Sequence, residues 1–102
     1  MTRKAVHVRL ELLSSSAGGR STPMRSGYRS LIRFENTEVD FGFELNLATD
    51  SLAPGDNGIG TASFWAVEDL PPLLPGQKFE VREGTRVVGH GEVLPETAPQ
   101  PA

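Results

Sequence analysis

The chain has 102 residues, of which 37% are hydrophobic and 23% charged, with a net charge of −3 at pH 7. This length suits one compact domain, and the balance of apolar and charged residues excludes a disordered chain. No apolar run approaches the roughly 18 residues of a membrane-spanning helix, and the first residues lack the apolar segment of a secretory signal. The absence of cysteine excludes disulfides and thiolate sites, so the expected compartment is the cytoplasm.

Alternation of apolar and polar residues predicts six β-strands and no helix. The strands are expected at residues 5–13, 28–35, 38–47, 59–67, 78–82 and 86–94. Residues 1–4 would then form a short N-terminal extension, and 95–102 a disordered tail. The clearest alternation is in the third strand, and the side chains expected to point inward there are Val39, Phe41, Phe43, Leu45 and Leu47.

Turn signals at short spacing, with tight turns at 54–58 and around Gly84, are typical of a sandwich or a small barrel. A closed barrel is favoured because closure removes the exposed edges of so short a sheet. The predicted fold class is therefore all-β, with a single closed six-stranded barrel over residues 5–94.

Residues 17–29, called here the arginine loop, hold three glycines, one proline and three arginines between two strands. Positive charge is concentrated in this part of the chain: up to Arg33 there are seven Lys or Arg and one acid, and beyond it three against twelve. One interpretation is an anion-binding patch of guanidinium groups, made of Arg20, Arg25, Arg29 and Arg33. The other is that these arginines pair with acids on neighbouring strands, such as Glu35, Glu38 and Asp40.

Two further groups of residues are candidate sites. His7 and His90 lie on the terminal strands without an aligned nucleophile or paired carboxylates, so we expect no enzyme activity, metal or cofactor. Phe64 and Trp65 are adjacent and therefore point to opposite faces of their strand. One should be in the core, and the other exposed unless the proline-rich loop at 70–74 covers it. The candidate partner surface consists of Phe64, Trp65 and Leu73.

Several motifs, in order, resemble the C-terminal (third) β-barrel domain of bacterial elongation factor Tu. The first is Gly-Gly-Arg-Ser-Thr-Pro at 18–23, followed by Gly-Tyr-Arg at 27–29. The second is the Pro-Gly-Asp-Asn turn at 54–57. The third is the hairpin with Phe79, Arg-Glu-Gly at 82–84, Arg86, Val-Gly at 88–89 and Gly91. The resemblance covers about residues 5–94 and implies a six-stranded antiparallel barrel.

In that family the barrel helps to hold the T-stem of aminoacyl-tRNA and packs against a GTPase domain. The resemblance implies an RNA contact at Arg20 and Gly84, which match the family. Ser21, Leu31 and Asp40 replace a histidine, a glutamine and a threonine, so much of the polar surface that meets tRNA is absent. The chain contains no Gly-x-x-x-x-Gly-Lys-Ser/Thr loop, so GTP binding is not expected.

The expected function is that of a non-enzymatic, stand-alone barrel that acts as a protein-interaction module. The partner would be another protein or a second copy of the chain, with no membrane involved. The alternative is a tRNA- or RNA-binding module that uses the arginine loop, in which backbone phosphates would need free cations.

Overall fold

The computed structural model describes residues 4–35, 37–65, 68 and 70–95. These residues form eight β-strands and one short 3₁₀ helix at Ser15–Ala17. The strands are β1 (Lys4–Leu12), β2 (Met24–Arg25), β3 (Tyr28–Phe34), β4 (Phe41–Leu47), β5 (Ser51–Leu52), β6 (Asn57–Phe64), β7 (Lys78–Glu83) and β8 (Arg86–Val93). No helix among the described residues has the length and apolar character needed to cross a bilayer.

Six of the strands form a closed barrel in the order β1-β6-β4-β3-β7-β8, with β8 pairing back onto β1. All neighbouring strands in this barrel are antiparallel. The predicted six-stranded antiparallel barrel is therefore confirmed. β1 begins at Lys4, so this strand includes the last residue of the predicted N-terminal extension. The predicted tail beyond Pro95 lies outside the described residues.

The barrel is filled by alternate side chains from every wall strand. Phe34 is central, with its ring centroid 5.9 Å from those of Phe64 and Phe79 and 6.0 Å from that of Phe41. Phe43 and Leu45 are completely buried, as the alternation in their strand predicts. Because these rings fill the interior, the barrel has a packed core.

The inward prediction for Val39 is wrong, because 57% of this residue is exposed. The β3–β4 ladder ends at the pair Ile32–Phe41, so Val39 lies in the connection before β4. The alternation of apolar and polar residues continues in the sequence beyond the last paired residue of β4. A residue outside the paired strand is not held in its pleat, so the alternation no longer shows whether its side chain points inward.

A two-stranded sheet of β2 and β5 was not predicted. Met24 and Leu52 are paired in it, and both are buried. The Leu52 side chain lies against Gly58 of β6, where it helps to cover the interior of the barrel. Strands of two residues have no period to detect, so their burial could not be inferred from the sequence alone.

The antiparallel order gives the barrel two distinct ends. The end called here the arginine end carries the arginine loop, the β2–β5 sheet and the two-residue turn Gly84–Thr85 between β7 and β8. The end called here the proline end carries the connection at 35–40, the described part of the β6–β7 connection and Leu94–Pro95. Candidate sites at the two ends are therefore on opposite sides of the molecule.

We predict that Gly60→Ala destabilises the barrel by roughly 2 kcal/mol, as overpacking does. A Cβ atom on Gly60 would lie 2.6 Å from the carbonyl oxygen of Asn46 and 3.2 Å from the Cα atom of Leu47, and these backbone atoms cannot move aside. The matched control is Gly42→Ala, whose Cβ atom would meet, among the described residues, nothing nearer than a Trp65 ring carbon at 4.0 Å. Urea unfolding measures both, and equal stabilities of the two variants would contradict the close approach of β6 to β4.

Candidate functional site

Three side chains fasten the arginine loop to the β7–β8 hairpin. The Tyr28 hydroxyl donates a hydrogen bond to Oε2 of Glu83 at 2.7 Å, and Nη1 of Arg20 donates to the same oxygen. The Arg20 guanidinium also lies 5.1 Å from the centroid of the Tyr28 ring. Arg20, the residue expected to meet an anion, is thus already engaged by a carboxylate of its own chain.

The environment of this cluster changes the pKa of both titratable partners of Arg20. Burial raises the pKa of Tyr28 from 10.0 to about 12, and the neighbouring Glu83 carboxylate adds to this effect while a hydrogen bond with Ser30 opposes it. Burial alone would raise the pKa of Glu83, but the hydrogen bonds from Tyr28 and Arg20 outweigh it and lower the pKa overall. Glu83 is therefore ionised at neutral pH, and it is paired with Arg20 and, at 3.5 Å, with Arg86.

Arg29 and Arg33 lie on the outer wall of β3 and are also paired. Nη2 of Arg29 is 3.0 Å from Oε1 of Glu44, its direct neighbour across the β3–β4 ladder. Nε of Arg33 donates to Oδ1 of Asp40 at 2.8 Å, and this hydrogen bond raises the already high pKa of the guanidinium. Of the acids expected to pair with the arginines, Asp40 does so.

Arg25 and Gly84 complete the set of residues predicted to bind RNA. Arg25 is exposed in β2, and no hydrogen bond or ion pair joins its side chain to another described residue. Gly84 has a φ of +63° at the first position of the hairpin turn, the conformation for which glycine is favoured there. Both lie at the arginine end, but the other three cations each face their own carboxylate, so the four arginines do not form a free patch.

The predicted partner surface is only partly at the surface. Phe64 is completely buried in the core, so it offers no area to a partner. Trp65 is half-buried, with the Arg29 guanidinium 5.2 Å from its ring centroid. Leu73 is half-buried and packs against the core.

Among the described residues, the most exposed large apolar side chains are not those of the candidate partner surface. Leu74 is 63% exposed and Val39 57%, and both lie at the proline end. A groove of about 420 Å³ is formed there by Glu35, Pro72, Leu74, Pro75, Gly76 and Gln77. The sequence does not distinguish Leu73 from Leu74, because a loop has no periodicity that shows which of two adjacent leucines faces inward.

The two histidines do not come together. His90 is opposite Glu11 in the β1–β8 ladder, whereas His7 lies four residues along β1 from Glu11. At about 3.3 Å per residue, His7 is roughly 13 Å along β1 from Glu11, the residue opposite His90. Among the described residues, no group of three histidines or carboxylates is close enough to hold a metal ion.

A comparison with the known protein families finds no family that matches the chain.

We predict that Arg20→Ala lowers the free energy of unfolding by roughly 1–2 kcal/mol. It removes the closer of the two cations that pair with the partly buried Glu83 carboxylate, whereas Arg86 remains at 3.5 Å. The matched control is Arg25→Ala, which removes the same side chain from an exposed position at the same end. This control should leave stability unchanged. Urea unfolding at neutral pH measures both, and two equally stable variants would show that the Arg20 pair does not stabilise the fold.

The Tyr28 phenol should titrate with a midpoint of about 12, against 10.0 for its ordinary value. Tyr28 is the only tyrosine, so the ultraviolet absorbance of phenolate reports it alone. The stability due to its burial is present below pH 10 and is lost as the pH rises through the folded value. Glu83→Gln should lower the midpoint, and urea should return it to the ordinary value. An ordinary midpoint in the folded wild type would contradict the cluster.

Proposed function

We propose that this chain is a non-enzymatic protein-interaction module that binds its partner at the proline end of the barrel. The observation that carries the proposal is the exposure of Leu74 and Val39 at that end. Every wall strand of the barrel is paired on both sides, so the wall offers no strand edge for a partner to extend. A partner would therefore contact side chains and not a strand edge. Exposed apolar side chains beside a groove are typical of protein contacts.

RNA binding through the arginine loop is the weaker alternative. Phosphate binding requires cations that are available to it, but Arg20, Arg29 and Arg33 contact Glu83, Glu44 and Asp40. A phosphate would have to compete with each carboxylate, which costs part of the energy gained. Arg25 is then the one arginine of the predicted set without a partner among the described residues, and a single cation gives little affinity.

The proposed kinship is with the third domain of elongation factor Tu. It rests on the sequence motifs, and the closed antiparallel barrel agrees with the fold that they imply. Two of these motifs lie at structural positions: Arg20 is in the cluster with Tyr28 and Glu83, and Gly84 is in the hairpin turn. Their presence supports a shared barrel, and they do not by themselves support a shared RNA contact.

A capture experiment with three baits tests the proposed function. Each bait is the full chain, attached through a cysteine introduced as Thr85→Cys at the arginine end, which leaves the proline end free. The baits are the parent, Leu74→Ser and Arg25→Ala, each incubated with an extract of the source cells. We expect the parent bait to capture proteins, and ribonuclease treatment should not reduce their yield. The yield should fall several-fold with the Leu74→Ser bait and stay unchanged with the Arg25→Ala bait.

Loss of capture with Arg25→Ala or after ribonuclease treatment would contradict the proposal and favour the RNA alternative. A gel shift at low salt provides the direct check. The protein-interaction function predicts no complex with tRNA at micromolar protein. An RNA complex that weakens steeply with added salt would overturn it.

A further inference from the structure

We infer that the proline end binds a basic segment of a partner protein, one that presents an apolar side chain next to a lysine or arginine. The inference rests on the proposed function and specifies the chemistry of the partner. It follows from three properties of this end: a rigidly held exposed leucine, an apolar groove beside it, and a carboxylate on the groove wall.

Leu74 is held in place by its backbone. Its N–H donates to Oε1 of Gln77 at 3.3 Å, and its carbonyl accepts from the N–H of Gln77 at 3.1 Å. Between them Pro75 and Gly76, whose φ is +87°, have the residue types and the positive φ of a type II turn. The turn is joined to β8, because Gly76 N–H donates to the Val93 carbonyl at 2.8 Å and Val93 N–H donates to the Gln77 carbonyl at 2.9 Å.

This rigidity lowers the cost of binding. Leu73 packs against the core, whereas its neighbour Leu74 is exposed. A turn whose backbone is already ordered in the free protein loses less conformational entropy when a partner covers it. An exposed apolar residue on a mobile loop would not have this property, and for this reason Leu74 is the anchor of the proposed site.

The groove beside Leu74 combines apolar surface with one acidic group. Pro72, Leu74 and Pro75 provide the apolar surface, and Glu35 is the charged residue in the lining. Oε1 of Glu35 accepts a hydrogen bond from the backbone N–H of Lys78 at 3.2 Å, which orients the carboxylate. An apolar side chain fits such a groove, and a cation next to it in the partner would meet Glu35.

The surrounding charge favours the same partner. Between Arg33 and Lys78 the sequence contains no lysine, arginine or histidine, and this stretch supplies most of the proline end. Glu38 and Glu68 are exposed there in addition to Glu35, whereas Asp40 is paired with Arg33. Two exposed lysines are at this end as well: Lys4 begins β1 opposite Phe64, and Lys78, which lines the neighbouring groove and not this one, begins β7. The three exposed acids outnumber these two lysines, and Glu35 is the charged residue in the groove, so the charge favours a basic partner over an acidic one.

The test uses the isotope-labelled full chain and two series of ten-residue synthetic peptides. Each peptide has one central leucine, flanked by lysines in the first series and by glutamates in the second. We expect the lysine series to shift the backbone amide resonances of Glu35, Leu74, Gly76 and Gln77. Leu74→Ser should weaken binding about tenfold through lost apolar contact, and Glu35→Gln about threefold because the ion pair is partly exposed.

Matched controls are Ile59→Ser, an apolar side chain on the barrel wall, and Glu11→Gln, an exposed acid distant from this end. Both should bind the lysine series as the parent does. An equal response to the two series, shifts confined to another face, or no shift at millimolar peptide would overturn the inference. The proposed function would still stand if capture from the extract remained dependent on Leu74. A dimer that dissociates with Leu74→Ser, measured by light scattering, would identify a second copy as the occupant and also overturn it.

Discussion

Pairing between the first and the last strand of the barrel is the constraint on which the rest of the structure depends. The β1–β8 ladder runs from Val8–Val93 to Leu12–Gly89 and closes a sheet that would otherwise expose two edges. Closure forces one face of every strand into a narrow interior, where large rings leave little space. Phe79 fits because the residue opposite it across the β7–β8 ladder is Gly91, against which its ring lies. The positions of large and small residues are thus consequences of closure.

Closure also determines which parts of the molecule are available for function. On the wall, charged side chains lie opposite one another across the ladders and are paired, as Arg29 is with Glu44 and Arg9 with Glu92. Such surface pairs contribute little to stability, but they leave the wall electrically balanced. The two ends differ from it and from each other. At the arginine end a glycine-rich loop is fixed by Tyr28 and Glu83, whereas at the proline end apolar side chains remain exposed.

Much of the barrel could be predicted from sequence because alternation reports directly on which face of a strand is buried. The same signal fails where a strand loses its partner, as at Val39, and where a strand is too short to show a period, as at Met24 and Leu52. Among the pairs, Arg29–Glu44 follows from strand register, because the two residues are direct neighbours in the β3–β4 ladder. Arg20–Glu83 joins residues 63 apart in the chain and has no local signal. Leu74 was missed because loop direction depends on turn geometry and hydrogen bonds to β8.

The antiparallel pairing of β1 with β8 brings the start and the finish of the described barrel side by side. Leu94 N–H donates to the carbonyl of His7 at 2.8 Å, so the polypeptide enters and leaves at nearly the same point. A barrel built in this way can be inserted into a surface loop of a host protein without separating the host's two halves. Any such host would be attached at the proline end, which also carries Leu74 and its groove.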